Sequence, residues 1–106
     1  YSMESMSNIT QYLPLTESTS YILLALTEPL HGYAIMQKVE AMSEGTVKVG
    51  AGTMYGALST LEKEGLIVKV DEQDRRKVYI LTEKGRQVLQ GQIQRSAIFV
   101  RNGESL

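Results

Sequence analysis

Between Thr16 and Pro29 the chain reads TESTSYILLALTEP, and every residue from Tyr21 to Leu26 is apolar. Thr16 is a helix-capping residue type and Pro29 a stop, so this stretch predicts a helix over about residues 16–28. A helix apolar on all sides keeps no face for water. Whatever surrounds it must cover it completely, and a chain of 106 residues has little material for the task. The expectation is one small domain wrapped around this helix, with a second copy of the chain closing the remaining side. Burial wholly inside its own core is the alternative.

Downstream, Ile35, Met36, Val39 and Met42 recur at helical spacing in a second helix that Gly45 ends. The β-branched run TVKV predicts a short strand over residues 46–49. A third helix follows from about Ala51 to Glu64, with Met54, Leu58 and Leu61 as its buried seam and Gly65 as a left-handed stop. Alternation then takes over: Leu66, Val68 and Val70 on one strand, a polar turn over residues 72–75, and a return strand from Lys77 to Leu81. Thr82 caps a last helix reaching Asn102 and Gly103, along which Val88, Leu89, Ile93, Ala97 and Val100 form one apolar stripe. That stripe lies beyond the core elements and calls for a partner of its own. The fold class expected is mainly α with a small β-hairpin, a winged helix-turn-helix plus a C-terminal dimerisation helix. Residues 14–81 would form the winged-helix domain and 82–106 the dimerisation helix. Residues 1–13, which open on Tyr rather than Met, would be an N-terminal extension with freedom to be flexible.

Composition excludes several functions. There is no Cys and one His, His31, so disulfides, thiolate metal sites and His-based catalysis have no parts to work with. No metal, cofactor or catalytic residue is expected. No apolar run approaches the length of a membrane span and no secretory leader is recognisable, which predicts a cytoplasmic protein without a membrane partner. Net charge is −1, but residues 1–74 carry a balance of −6 and residues 75–101 a balance of +6. A local basic surface can exist inside that neutral total.

The third helix presents a second face that carries Thr53, Gly56, Ser59, Thr60 and Lys63, with Tyr55 at its edge and no acid before Glu62. Glycines inside a helix cost about 0.5–1 kcal/mol each against alanine. Their placement fits a helix whose exposed face approaches a sugar-phosphate backbone. Packing against the second helix is the better reading for Gly50, close approach to DNA the better one for Gly56. The hairpin tip holds Arg75, Arg76 and Lys77, suited to phosphate. Thr53, Tyr55, Gly56, Ser59, Lys63, Arg75, Arg76 and Lys77 are therefore the candidate DNA-binding residues. Tyr33 joins them from the start of the second helix, while His31 is read as part of the turn there. A winged helix that binds protein instead of DNA is the competing reading.

Three blocks, TESTSYILLALTEPLHGYAIMQKVE, GAGTMYGALSTLEKEGLI and DRRKVYILTEKGRQVL, resemble the PadR family of bacterial transcriptional regulators over about residues 14–90. The resemblance implies a homodimeric winged-helix repressor bound to an inverted-repeat operator in double-stranded DNA, released in some members by a small-molecule effector such as a phenolic acid or a drug-like cation. It also implies dimer contacts from helix 1 and the C-terminal helix, here Ile22, Leu26, Val88, Leu89, Ile93, Ala97 and Val100. The chain departs from the family pattern in having Gly56 where Pro is frequent, Met54 where Leu is common, and a wing without the usual Gly. The short wing argues against deep minor-groove insertion.

Overall fold

A computed structural model of the chain describes residues 9–106. The part of the expected N-terminal extension before Ile9 lies outside the described residues; from there on Ile9, Tyr12 and Leu13 pack against the core. The elements are α1 (Glu17–Ala25), β1 (Leu30–His31), α2 (Gly32–Met42), α3 (Ala51–Lys63), β2 (Ile67–Gln73), β3 (Arg76–Leu81) and α4 (Glu83–Gly103). The three strands form one antiparallel sheet in the order β1-β3-β2. Helix α1 packs between α2 and α4, and α3 lies between α2 and the sheet. This is the expected winged helix.

Thr16 accepts the Thr19 N–H at 3.1 Å and so caps α1. At the other end α1 has no basic residue of its own. Lys38 of α2 supplies one, its Nζ donating to the Ala25 carbonyl at 3.3 Å while pairing with Glu28 at 3.1 Å. Ile22, Leu23, Ala25 and Leu26 are buried by this chain alone, leaving only Leu24 exposed and Tyr21 half-buried. The reading that required a second copy to cover this helix is corrected on four of its six apolar positions.

The strand expected over residues 46–49 is absent, although Val47 and Val49 are buried around an exposed Lys48 in strand-like alternation. The reason is local competition. Buried Ser43 takes the Val47 N–H on its hydroxyl at 3.0 Å and faces the Val47 carbonyl at 3.3 Å, while the Thr46 hydroxyl donates to the Ser43 carbonyl. The Val47 N–H and carbonyl, which a ladder would use, are thus both engaged by the residue that ends α2. The third strand is instead the two-residue β1, which pairs Leu30 with Tyr79 and His31 with Val78.

Helix α3 ends as its sequence predicts. Gly65 has φ 78, Leu66 N donates to Leu61 O at 3.0 Å, and Gly65 N donates to Glu62 O at 3.0 Å. The chain leaving this cap is then clamped by the start of α4. The Thr82 hydroxyl donates to the Gly65 carbonyl at 2.7 Å, Thr82 N donates to Leu66 O at 3.1 Å, and the same hydroxyl accepts the Gly85 N–H at 3.0 Å. A Cβ on Gly85 would stand 2.0 Å from the Leu66 carbonyl oxygen. No L-residue with a side chain fits there without moving backbone.

Gly85→Ala is expected to destabilise the fold by about 3 kcal/mol or more, because the obstacle is a carbonyl and not a side chain that can turn aside. Gly91→Ala, whose Cβ would meet only side-chain ends, Leu13 Cδ1 at 2.9 Å and Ile9 Cγ2 at 3.9 Å, should cost far less. Thermal melts of the two variants side by side check this; equal losses would mean the α4 crossing tolerates displacement.

Candidate nucleic-acid interface

Helix α3 turns Met54, Leu58 and Leu61 inward and leaves Gly52, Thr53, Tyr55, Gly56, Ser59, Thr60 and Lys63 exposed. Its N-cap, Gly50, offers no side-chain hydrogen bond to the first turn. The leading N–H groups of the helix therefore have no cap from that residue. A Cβ added to Gly50, Gly52 or Gly56 would meet nothing within 4 Å. Packing against α2 is thus not the reason for Gly50, contrary to the sequence reading. Gly50 has an ordinary extended φ of −71, and Gly52 and Gly56 lie within the helix. Nothing among the described residues calls for glycine at these three positions.

The hairpin turns through Asp74 at φ 49 and Arg75 at φ 67, the paired left-handed conformations of a tight two-residue turn. Glycine would adopt the second of these freely, whereas arginine holds it at a cost of about 1 kcal/mol or more. The strands pair Glu72 with Lys77 and Gln73 with Arg76, with an irregularity between Lys69 and Asp71. Acidic and basic ends of the sequence halves are thus folded onto each other. The boundary in the chain's polarity, −6 before and +6 after, thus falls at the hairpin tip, where an acidic strand end faces a basic one. Lys84 is held at the end of α3: its Nζ donates to the Glu64 carbonyl at 3.0 Å and sits 4.8 Å from the Tyr12 ring centroid.

What remains is local and well defined. A cleft of about 600 Å³ lies between α3, the start of α2 and the wing. Tyr55 and Ser59 line it from α3, Tyr33 from α2, and Arg75, Arg76 and Lys77 from the wing. Six of the nine expected DNA-binding residues thus meet around one concavity, and all nine are exposed. Thr53, Gly56 and Lys63 do not line it; they continue the open face of α3 outside the cleft.

Sequence reasoning missed four other lining residues: His31, Gly32, Glu62 and Tyr79. His31 caps α2, its Nδ1 accepting the Ala34 N–H at a long 3.5 Å, as the structural reading of that turn expected. Tyr79 is only 6% exposed. Burial raises its hydroxyl above the ordinary tyrosine range, with the Glu62 carboxylate and Tyr55 pushing the same way. It stays a neutral hydrogen-bond donor. Its pairing with Leu30 across β1 is what brings it here, and that pairing had no signal in a two-residue strand.

The seven residues expected at a dimer contact divide in two. Ile22, Leu26, Val88 and Leu89 are between 0 and 5% exposed within this one chain, so they belong to its core and are not available to a partner. Ile93, Ala97 and Val100 are exposed, and Ile98 and Phe99 join them on the distal half of α4, Phe99 at 80%. A groove of about 450 Å³ between α1 and α4 opens beside this region, lined by Tyr21, Leu24, Leu89, Gln92, Ile93 and Ser96.

Comparison with known proteins agrees with this architecture. Residues 22–91 match the model of the transcriptional regulator PadR-like family. An uncharacterized 37.1 kDa protein in transposon TN4556 of Streptomyces fradiae is 40% identical over 70 residues, 65% of this chain and 20% of that protein. The transcriptional regulator YqjI of Escherichia coli K12 is 32% identical over 60 residues, 57% of this chain and 29% of its own. The chain thus spans less than a third of the length of these relatives. Bacillus subtilis PadR, solved in complex with operator DNA, superposes with a TM-score of 0.64 at 25% identity, covering 76% of this chain and 48% of that one. With the family model matched across α1 to the middle of α4, the chain belongs to the PadR-like family of transcriptional regulators.

Proposed function

We propose that this chain is a repressor that binds double-stranded DNA as a homodimer, reading an inverted-repeat operator with α3 in the major groove and the wing on neighbouring phosphates. The observation that carries the reading is the single cleft shared by Tyr55 and Ser59 of α3 and by Arg75, Arg76 and Lys77 of the wing. The bare ridge of α3 beside it supports close approach, since Gly52 and Gly56 answer no need among the described residues. The related B. subtilis PadR is bound to operator DNA. Phosphates contacted by arginine and lysine give affinity, while Thr53 and Ser59 reach toward base edges without specifying one base.

The second copy docks on the distal half of α4, where Ile93, Ile98, Phe99 and Val100 stand in water in the single chain. Two such subunits present their α3 helices about one helical turn of DNA apart. The neighbouring groove between α1 and α4 is of a size for a small apolar molecule, so a small-molecule effector acting there would alter the dimer directly. Among the described residues no helix is long and apolar enough to cross a membrane, and we place the protein in the cytoplasm beside its DNA.

Gly56→Ala should separate folding from binding. It is expected to raise the unfolding free energy by about 0.5–1 kcal/mol and to weaken duplex affinity; unchanged affinity in a variant that urea melts show to be more stable removes the close-approach argument. Replacing Arg75 and Arg76 together by Ala should weaken all duplexes alike and lower the slope of log K against log salt by about 2. A slope equal to that of the unmodified chain in anisotropy titrations excludes the wing, and no salt-dependent binding by any form favours a protein-binding winged helix. The dimer is tested by Ile93→Asp with Phe99→Asp, because a charge at Val88 would break the core of the chain itself. Monomers with native circular dichroism are expected in sedimentation, since an unpaired charge is costly in an apolar seam.

A further inference from the structure

Gly32, the first residue of α2, is buried although it carries no side chain, and what covers it is Tyr55 of α3. A Cβ at Gly32 would lie 2.9 Å from Tyr55 Cε1, 3.0 Å from its hydroxyl oxygen and 3.1 Å from Cζ. The hydroxyl-bearing edge of the ring therefore rests directly on the backbone of the α2 entry, while the residue as a whole remains 58% exposed. Gly32 is not among the positive-φ residues, so its backbone would accept any L-residue. What the missing side chain makes room for is the seat of Tyr55.

We infer that Gly32 is a positioning residue for DNA binding: its bare Cα holds the Tyr55 ring edge-down on α2, which fixes the hydroxyl in the cleft between α3 and the wing. This rests on the DNA-binding reading above. An exposed tyrosine on a helix otherwise samples several rotamers, and ordering one of them on binding costs affinity. Seating the ring in advance removes that cost, and it does so from a different helix than the one that bears the ring. The orientation of α2 relative to α3 is thereby written into the direction of one polar contact. Alanine at residue 32 displaces a side chain that can swing outward, so the fold survives and the contact is lost.

Duplex affinity should be measured by anisotropy for the unmodified chain, Gly32→Ala, Tyr55→Ala and the double variant, with a thermal melt of each. Gly32→Ala is expected to bind roughly tenfold more weakly, the order of a lost hydrogen bond to a charged group, with a melt close to that of the parent. In the Tyr55→Ala background the same change should cost nothing further. Additive losses, or full affinity in Gly32→Ala, overturn the inference. A readout independent of DNA is the Gly32 Hα resonances, which should carry a ring-current displacement that Tyr55→Ala abolishes; identical shifts in both proteins overturn the inference even where the alanine variant does not fold. Failure of the unmodified chain to bind any duplex, with the ring-current displacement present, removes the DNA reading and the function assigned to the seat while leaving the seat itself.

Discussion

The geometry of this molecule hangs on the point where α4 crosses the end of α3. Within a few residues, the Gly65 carbonyl accepts from the Thr82 hydroxyl, the Leu66 carbonyl accepts from Thr82 N, and the Glu64 carbonyl accepts from Lys84 Nζ. These are carbonyls at and just beyond a helix end, which the helix itself leaves without partners, and α4 supplies them. Leu81 N donates to Leu26 O at 2.8 Å, tying the end of α1 to the same place. Gly85 lets the crossing close to backbone contact. One junction therefore sets the angle between the α3 ridge, the wing that leaves from Leu66, and the helix that projects the exposed apolar stripe. Without it the cleft would have no fixed width.

Around that junction most local choices favour stability, and three exceptions lie on α3 and the wing, the elements of the candidate interface. Gly52 and Gly56 weaken α3 where alanine would strengthen it, and Arg75 occupies a left-handed turn position where glycine would be at ease. Each departs from its local rule by about 1 kcal/mol, and in opposite directions: a side chain is missing where one would help, and present where it costs. The fold itself offers no common cause, since Gly56 is in open space and Arg75 is exposed. A common cause outside the chain is simple. In the DNA-binding reading proposed above, the duplex comes close to the helix and meets a cation at the turn.

The sequence disclosed what is decided within a few residues. Thr16, Thr82 and Gly65 cap or end helices where their residue types indicated, and the 54, 58, 61 seam of α3 is buried as its spacing required. It misled where a distant partner or a local competitor decides. Residues 46–49 have the alternation of a strand, but Ser43 holds the Val47 N–H and carbonyl. Leu30 and His31 have no strand signal, yet β3 recruits them. The stripe on α4 is continuous by periodicity, but the body of the protein claims Val88 and Leu89 and leaves Ile93 onward in water. Charge counted along the chain placed a boundary at residue 74, which is the tip of the hairpin, so folding brings the two halves back together.

That division of α4 has a mechanical implication. Its proximal turns are locked to α3 and α1 through Thr82, Lys84, Gly85 and Val88, while its distal turns carry Ile93, Ile98, Phe99 and Val100 outward. The helix runs without interruption from Glu83 to Gly103, about 31 Å of rigid rod. Its axis contains no proline and no irregular turn to absorb a bend. A change in the packing of the distal half is accordingly borne by the junction at Gly65 and Leu66, just past the end of α3 and at the root of the wing. The junction that fixes the cleft is thus also the anchor of the rod whose far end carries the exposed apolar residues.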